Sequence, residues 1–237
     1  MPDSSTALPL TWGLAAYFAL QIMLNLRLRL IPAAAPDRHE LLLRSAFANS
    51  VINSLFFLGL ACILLLAALV PQPALPSPLW LWLLGSLPAG VMLWALQVRL
   101  LGIGRRLFGK SSFVQPADHL LRNPQDLGQL NRAALYISLL QPLGHELFFR
   151  ACFLGLLQQV FGIWPAVLGT AIVELLLRLN PPWALSVLIS SGLLSGMSVA
   201  GGGPLATICT ALVCGFLHAY VGAWQALRST EKTDAGT

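Results

Sequence analysis

Long apolar segments recur along the whole chain, and they constrain its fold more than any other feature. We find seven of them, most near the length of about 20 residues that a helix needs to cross a bilayer: 9–26, 46–70, 79–98, 133–160, 164–179, 183–201 and 204–227. Hydrophobic residues make up 57% of the 237 residues and charged residues only 10%, whereas a soluble domain has about 25% charged residues. We therefore predict an all-α polytopic membrane bundle of about seven transmembrane helices.

The distribution of Lys and Arg predicts how this bundle is oriented. These residues collect in cytoplasmic loops, and with seven spans all of them except Arg150 fall on one side: Arg27, Arg29, Arg38, Arg44, Arg99, Arg105, Arg106, Lys110, Arg122, Arg132, Arg178, Arg228 and Lys232. We expect an N-out/C-in topology in a bacterial inner membrane. A basic cytoplasmic face attracts anionic lipid headgroups. Because no DNA- or RNA-binding motif accompanies these charges, we expect membrane lipids as partners and no nucleic acid.

One long polar stretch divides the chain. Residues 102–132 form this connection and are predicted to be a cytoplasmic loop. It separates an N-terminal three-helix membrane segment, residues 1–101, from a four-helix core, residues 133–227. The polar residues 228–237 are predicted to be a disordered tail.

Ionisable residues within the apolar segments mark the candidate site. Glu146 and Arg150 are spaced i,i+4 with the acid first, as are Glu174 and Arg178, and this is the favourable order for a helical salt bridge. His145 directly precedes Glu146. Because an ionisable residue at the centre of a spanning helix costs about 2.5–3.5 kcal/mol on insertion scales, such residues normally face inward with partners. We predict that these five residues form one polar cluster, which either fastens helices together or takes part in chemistry.

The stretch PLGHELFFRACFLGLLQ resembles the first motif of the CPBP family, the CAAX-protease and bacteriocin-processing membrane proteins. The family pattern there is E-E-x-x-x-R. Glu146 and Arg150 match its second glutamate and its arginine, while His145 replaces the first glutamate. The resemblance covers about residues 135–220 and implies the fold of this family of intramembrane endopeptidases.

Two later segments follow the family in arrangement but not in the residues of its motifs. In WPAVLGTAIVELLLRL, the family's F-x-x-x-H falls on Glu174 and Arg178. In SGMSVAGGGPLATICTALVCGF, its H-x-x-x-N falls on Leu212 and Phe216, and His218 comes too late, and too near the end of its span, to substitute. In active members, the first-motif glutamate, the histidines and the asparagine are thought to bind a metal or polarise water. The resemblance therefore implies the family's fold without its standard chemistry.

Two functions stay open. The chain is either an inactive homologue that binds a membrane protein, a lipid or a prenylated chain, or a CAAX-type endopeptidase that works through altered residues such as His145 and Glu146. A rebuilt metal site from His145, Glu146, Glu174 and His218 is disfavoured, because adjacent residues on a helix point about 100° apart. We favour the inactive homologue and expect no metal and no cofactor.

Overall fold

The computed structural model describes residues 15–17, 19–20, 22–24, 26, 38–66, 78–108, 120–121, 127–178 and 181–234. Every regular element in these ranges is a helix, and they contain no strand. The long helices are α1 (Arg38–Leu66), α2 (Leu79–Phe108), α3 (127–161), α4 (Ile163–Arg178), α5 (Pro181–Met197) and α6 (Gly203–Asp234). The predicted all-α class is confirmed.

Three stretches of the described chain are long and apolar enough to cross a membrane: Glu40–Leu66, Leu79–Phe108 and Trp183–Gln225. Shorter apolar helices occupy Ala15–Leu24 and Ile163–Leu177. These helices are those of an integral membrane protein, as the composition predicts. The count of seven spans and the N-out/C-in orientation stay predictions.

The longest of these stretches contains a kink between α5 and α6. After Met197 the helix widens into a π-helical segment, Ser198–Gly202. Gly201 has φ 111° and Gly203 has φ 58°, which is backbone that glycine adopts without the steric cost that a Cβ brings. The three consecutive glycines of AGGGP therefore allow the chain to leave α5 and begin α6.

Helix α3 carries the first motif and is irregular at two places. Its α-helical parts, Leu127–Leu135, Gln141–Glu146 and Leu154–Phe161, alternate with the π-helical segments Tyr136–Leu140 and Leu147–Phe153. Pro142 lies in the first turn of the middle part, and proline lacks the N–H that would continue the hydrogen-bond ladder. Single π-helical turns within α-helices are frequent at functional sites, and Arg150 lies in the second of these segments.

Helix α3 is the centre of the packing and contacts α1, α4 and α6, while α2 packs against α5 and α6. Glycines allow two of these approaches. A Cβ on Gly144 would lie 2.5 Å from the backbone oxygen of Ser54 in α1, and a Cβ on Gly215 in α6 would lie 2.5 Å from that of Ile137. Atoms cannot come so close, so glycine is required for α1 and α6 to contact α3 at these points.

Aromatic rings fill the space between α1 and α3. The ring centroid of Phe57 lies 4.9 Å from that of Phe148 and 5.5 Å from that of Phe149, and the last two rings are perpendicular at 5.0 Å. All three side chains are buried. Tilted and perpendicular aromatic pairs at such distances are favourable beyond the apolar area that they bury, so this cluster fixes α3 against α1 just beside Glu146.

Two helices extend beyond the boundaries that the sequence predicts. Helix α2 continues to Phe108 and α3 begins at Leu127, so both ends of the predicted loop 102–132 are helical. At about 1.5 Å per residue, the 30 residues of α2 exceed the thickness of a bilayer core, and Arg105 and Arg106 suit the negative end of the helix dipole. Helix α6 continues through Asp234 into the predicted disordered tail, where Arg, Glu and Lys favour helix.

Candidate functional site

A polar cavity of about 120 Å³ lies between α2, α3, α4, α5 and α6. It has room for several water-sized groups. Its polar lining consists of Gln97, Gln141, His145, Glu146, Arg150, Glu174, Ser186, Ser190, Ser191, Cys214 and His218. A concave site with convergent polar groups is the usual place for ligand binding or catalysis, and this one holds most of the ionisable residues that the sequence places within its apolar segments.

Arg150 is the centre of what we call the charged end of the cavity, formed with Glu146, Glu174 and Ser191. The side chain of Arg150 has an exposed fraction of 0%. Its Nε lies 3.5 Å from Glu146 Oε2, one turn earlier in α3. Its Nη1 donates to Glu174 Oε1 on α4. A buried guanidinium needs such partners because an unpaired charge is costly away from water.

Ser191 on α5 completes the charged end. Arg150 Nη2 donates to Ser191 Oγ at 3.2 Å, and Ser191 Oγ donates to Glu174 Oε1 at 2.9 Å. A single hydroxyl thus accepts from the cation and donates to the anion, which a hydroxyl is able to do. The result is a network that joins α3, α4 and α5.

Of the other two predicted cluster residues, the structure describes the side chain of His145 but not that of Arg178. His145 lines the cavity, and its ring packs against two aromatic rings, 5.2 Å from the centroid of Phe57 and 5.7 Å from that of Phe149. Arg178 is the last residue of α4, and its side chain lies outside what the structure describes. The structure therefore brings His145, Glu146, Arg150 and Glu174 to one cavity.

The second polar group, which we call the neutral end of the cavity, consists of Gln97, Ser190, Cys214 and His218. The amide oxygen Oε1 of Gln97 lies 3.0 Å from His218 Nε2 and accepts from Cys214 Sγ at 3.3 Å. The amide Nε2 of Gln97 donates to Ser190 Oγ at 3.2 Å. These contacts join α2, α5 and α6.

The sequence alone does not single out three of these four residues. Gln97, Ser190 and Cys214 belong to no motif, and the signal that marks them is a polar side chain within an apolar segment, strongest in the serines of LSVLISSGLLS. All four of these serines, Ser186, Ser190, Ser191 and Ser195, are buried, and the first three line the cavity.

The residues of α6 that line this cavity are not the two that the resemblance aligns with the family's H-x-x-x-N. Leu212 and Phe216, the positions aligned with the family's H-x-x-x-N, are not among its lining residues, and Phe216 is 60% exposed. The helix turns Ala211, Cys214, Gly215 and His218 towards the cavity instead: these residues line it. His218, which the sequence places too near the end of its span, lines the same cavity as Glu146. The face that α6 turns to the cavity is set by its packing against α2 and α3, which the resemblance does not reveal.

Metal ligands do not converge in the part of the chain that the structure describes: no group of three or more His, Cys, Asp or Glu side chains there could hold a metal ion. His145, Glu146, Glu174 and His218 all line the cavity. They do so from α3, α4 and α6, with Arg150 between the two carboxylates. A zinc site needs about three protein ligands around one point. Here the carboxylates of Glu146 and Glu174 are both paired with Arg150.

Comparison with protein families gives a match in the central part of the chain. Residues 129–203 match the family model Rce1-like, described as type II CAAX prenyl endopeptidase Rce1-like. We call these residues the Rce1-like segment, after the family model to which they are similar. It comprises nearly all of α3, all of α4 and α5, and the charged end of the cavity. Comparison with curated proteins and with solved structures gave no match.

The Rce1-like match agrees with the resemblance at the first motif and stops where α6 begins. Glu146, Arg150 and Glu174 lie within it, whereas Gln97, Cys214 and His218 lie outside. The charged end of the cavity is therefore built from the Rce1-like segment. The neutral end depends on helices that the match does not reach.

Proposed function

We propose that this chain is a membrane protein of CAAX protease-like fold that binds a membrane-embedded partner in the cavity and does not cleave it. The partner is a prenylated or otherwise lipidated chain, or a segment of another membrane protein. The observation that carries the proposal is that both carboxylates in the cavity are paired with a cation. Both Glu146 and Glu174 face the guanidinium of one buried arginine, Arg150.

The chemistry of peptide hydrolysis supports this proposal. A general base must reach the attacking water within hydrogen-bond distance and be free to accept its proton. Glu146 and Glu174 instead neutralise Arg150, and an arginine itself stays protonated. The positions that the resemblance aligns with the family's histidines and asparagine hold Arg178, Leu212 and Phe216, none of which acts as a base or ligates a metal.

Binding is supported by the walls of the same cavity. Leu93, Ile137, Val187 and Leu194 line it beside the polar groups, and such a mixture of apolar wall and few polar groups is typical of sites that bind small or chain-like ligands. A bilayer supplies ligands with apolar chains. We place the chain in a bacterial inner membrane, with the basic residues of its loops on the cytoplasmic side, where they attract anionic lipids.

The experiment is a paired assay of binding and cleavage on the purified protein in detergent. A farnesylated CAAX-type peptide is added, its binding is measured by the shift in thermal unfolding, and its integrity by mass spectrometry. We expect the peptide to stabilise the protein and to be recovered intact, and bound zinc to stay far below one equivalent. Cleavage that disappears in Glu146→Gln would contradict the proposal.

A second candidate, an endopeptidase with an altered site, is favoured by one observation. Glu146, His145 and His218 line one cavity, so an acid and two imidazoles are near enough to a common ligand to take part in chemistry. Under this alternative, cleavage is lost in His218→Phe as well as in Glu146→Gln. Under the binding proposal, neither variant changes a cleavage rate, because none is present.

A further inference from the structure

We propose that the neutral end of the cavity is an amide-binding subsite, in which the carboxamide of Gln97 occupies the place of a ligand's amide group. The inference rests on the proposed function in one respect: it takes the cavity to be a place where a ligand binds. It goes further by naming the chemical group that the ligand presents. That group is a primary amide or a peptide bond.

Two hydrogen-bond donors converge on a single oxygen at this end. Cys214 Sγ and His218 Nε2 lie 3.3 Å and 3.0 Å from Oε1 of Gln97. An amide oxygen only accepts hydrogen bonds and has two lone pairs, so Nε2 of His218 carries its proton here. The pair of donors is arranged as a socket for a carbonyl oxygen.

The nitrogen of the Gln97 amide also has a hydrogen-bond partner. Gln97 Nε2 donates to Ser190 Oγ at 3.2 Å. Donors surround the oxygen and an acceptor meets the nitrogen, so this arrangement of partners suits an amide. An ester or a carboxylate has no N–H to donate to Ser190, so the Ser190 hydroxyl would have to turn and donate to the second oxygen instead.

The groups that form the socket lie on α5 and α6, whereas the group that now occupies it is the end of a flexible side chain, Gln97. Ser190 and Cys214 are buried, with exposed fractions of 5% and 6%. Gln97 itself is partly exposed and lines the cavity. A site whose recognising groups are already fixed binds with little loss of conformational entropy, and a ligand amide needs only to displace the end of one glutamine.

The apolar walls beside the socket narrow the class of ligand to a peptide-like chain. Leu93 and Leu194 line the cavity beside the socket, so the amide must be flanked by apolar groups. Among the partners that suit a membrane protein of this fold, a lipid ester lacks the N–H, while a lipidated peptide supplies an apolar chain and amides together. We therefore infer a lipidated or membrane-embedded peptide.

The first experiment tests the socket without any assumption about the biological ligand. Gln97→Ala removes four heavy atoms that correspond to acetamide, and acetamide is then added during thermal unfolding in detergent. We expect acetamide to raise the apparent Tm of this variant by about 2–4 °C more than that of the wild type. Acetone has the same size and the same oxygen but no N–H, and it should have a clearly smaller effect.

The controls of this experiment identify the groups responsible. The double variant Gln97→Ala with His218→Phe should lose the response to acetamide because one donor is gone. Phe216→Leu, on the same helix but facing away from the cavity, should leave it unchanged. If acetamide affects the variant and the wild type equally, or no more than acetone does, there is no amide-binding subsite.

The second experiment compares two ligands that differ only in the recognised group: 3-(farnesylthio)propanamide and methyl 3-(farnesylthio)propanoate. The amide should bind the wild type about tenfold more tightly, the effect expected of one or two additional hydrogen bonds. His218→Phe should remove the preference and Phe216→Leu should retain it. Gln97→Ala should tighten binding of the amide, because the internal competitor is absent.

The outcomes separate this inference from the proposed function. Equal binding of the two compounds contradicts the amide-binding subsite and leaves the proposed function standing. Failure of both compounds to bind contradicts binding of a prenyl-like chain, and the acetamide experiment then decides on the subsite by itself.

Discussion

The two ends of the cavity are built from different kinds of polar group. At the charged end, a wholly buried guanidinium is held by Glu146, Glu174 and Ser191. At the neutral end, one amide joins a thiol, an imidazole and a hydroxyl. A buried charge that loses its partner is strongly destabilising, whereas a neutral amide can be replaced by another at little net change. We therefore expect the charged end to stabilise the fold and the neutral end to exchange its amide with that of a ligand.

The strongest test of this comparison is to remove the cation. Arg150→Met leaves Glu146 and Glu174 with no guanidinium between them, and we expect the free energy of unfolding to fall by about 3–5 kcal/mol. Thermal or denaturant-induced unfolding in detergent measures it. Adding Glu174→Gln should restore part of the loss, because contacting charges couple by about 0.5–3 kcal/mol in a double-mutant cycle.

A matched control exists on α1. Arg44 pairs with Glu40 at the same i,i+4 spacing, but the two side chains are 56% and 35% exposed. Arg44→Met should therefore cost less than about 1 kcal/mol. If the two arginine variants lose the same stability, or if the Arg150–Glu174 cycle is additive, the charged end does not hold the fold together.

An intermediate effect is expected from the glycine that brings α1 to the charged end. Gly144→Ala places a Cβ 2.5 Å from the Ser54 carbonyl oxygen, so the helices must separate, and we expect a loss of about 1–3 kcal/mol. Gly155→Ala, also on α3, meets no atom within 4 Å and should be neutral or stabilising. Equal unfolding midpoints for the two variants would show that close contact with α1 does not matter.

The smallest effect is expected at the neutral end. Gln97→Leu removes the amide but keeps much of its volume, and cavity water can reach Cys214 and His218, so we expect a loss of about 0.5–1.5 kcal/mol. Phe216→Leu, exposed on the outer side of α6, should stay within about 0.5 kcal/mol. A loss for Gln97→Leu as large as that for Arg150→Met would reverse the comparison and make the neutral end the structural one.

The sequence predicts well what depends on composition and on spacing within one helix. The all-α membrane fold follows from the apolar segments, and the contact between Glu146 and Arg150 follows from their i,i+4 spacing. The Rce1-like segment is recognisable from PLGHELFFRACF because its motif lies on one continuous helix. None of these inferences requires the position of one helix relative to another.

Contacts between side chains on two different helices are harder to predict from the sequence. The contact of Gln97 with His218 joins residues separated by 121 positions, and neither residue lies in a motif shared with the other. Leu212 and Phe216 are the positions that the resemblance aligns with the family's H-x-x-x-N, yet they do not line the cavity. Which face of α6 meets the cavity depends on how α6 packs against α2 and α3, and no spacing within α6 reveals that packing.

One feature described above connects the two ends directly. Ser190 accepts from the amide of Gln97, and Ser191, the next residue of α5, bridges Arg150 and Glu174. A rotation or shift of α5 that moves one hydroxyl moves the other as well. Coupling between two binding sites is reciprocal, so if a ligand in the socket weakens the pairing of Arg150, weakening that pairing in turn lowers the affinity for the ligand. Helix α5, itself part of the Rce1-like segment, thus carries adjacent hydroxyls to both ends of the cavity.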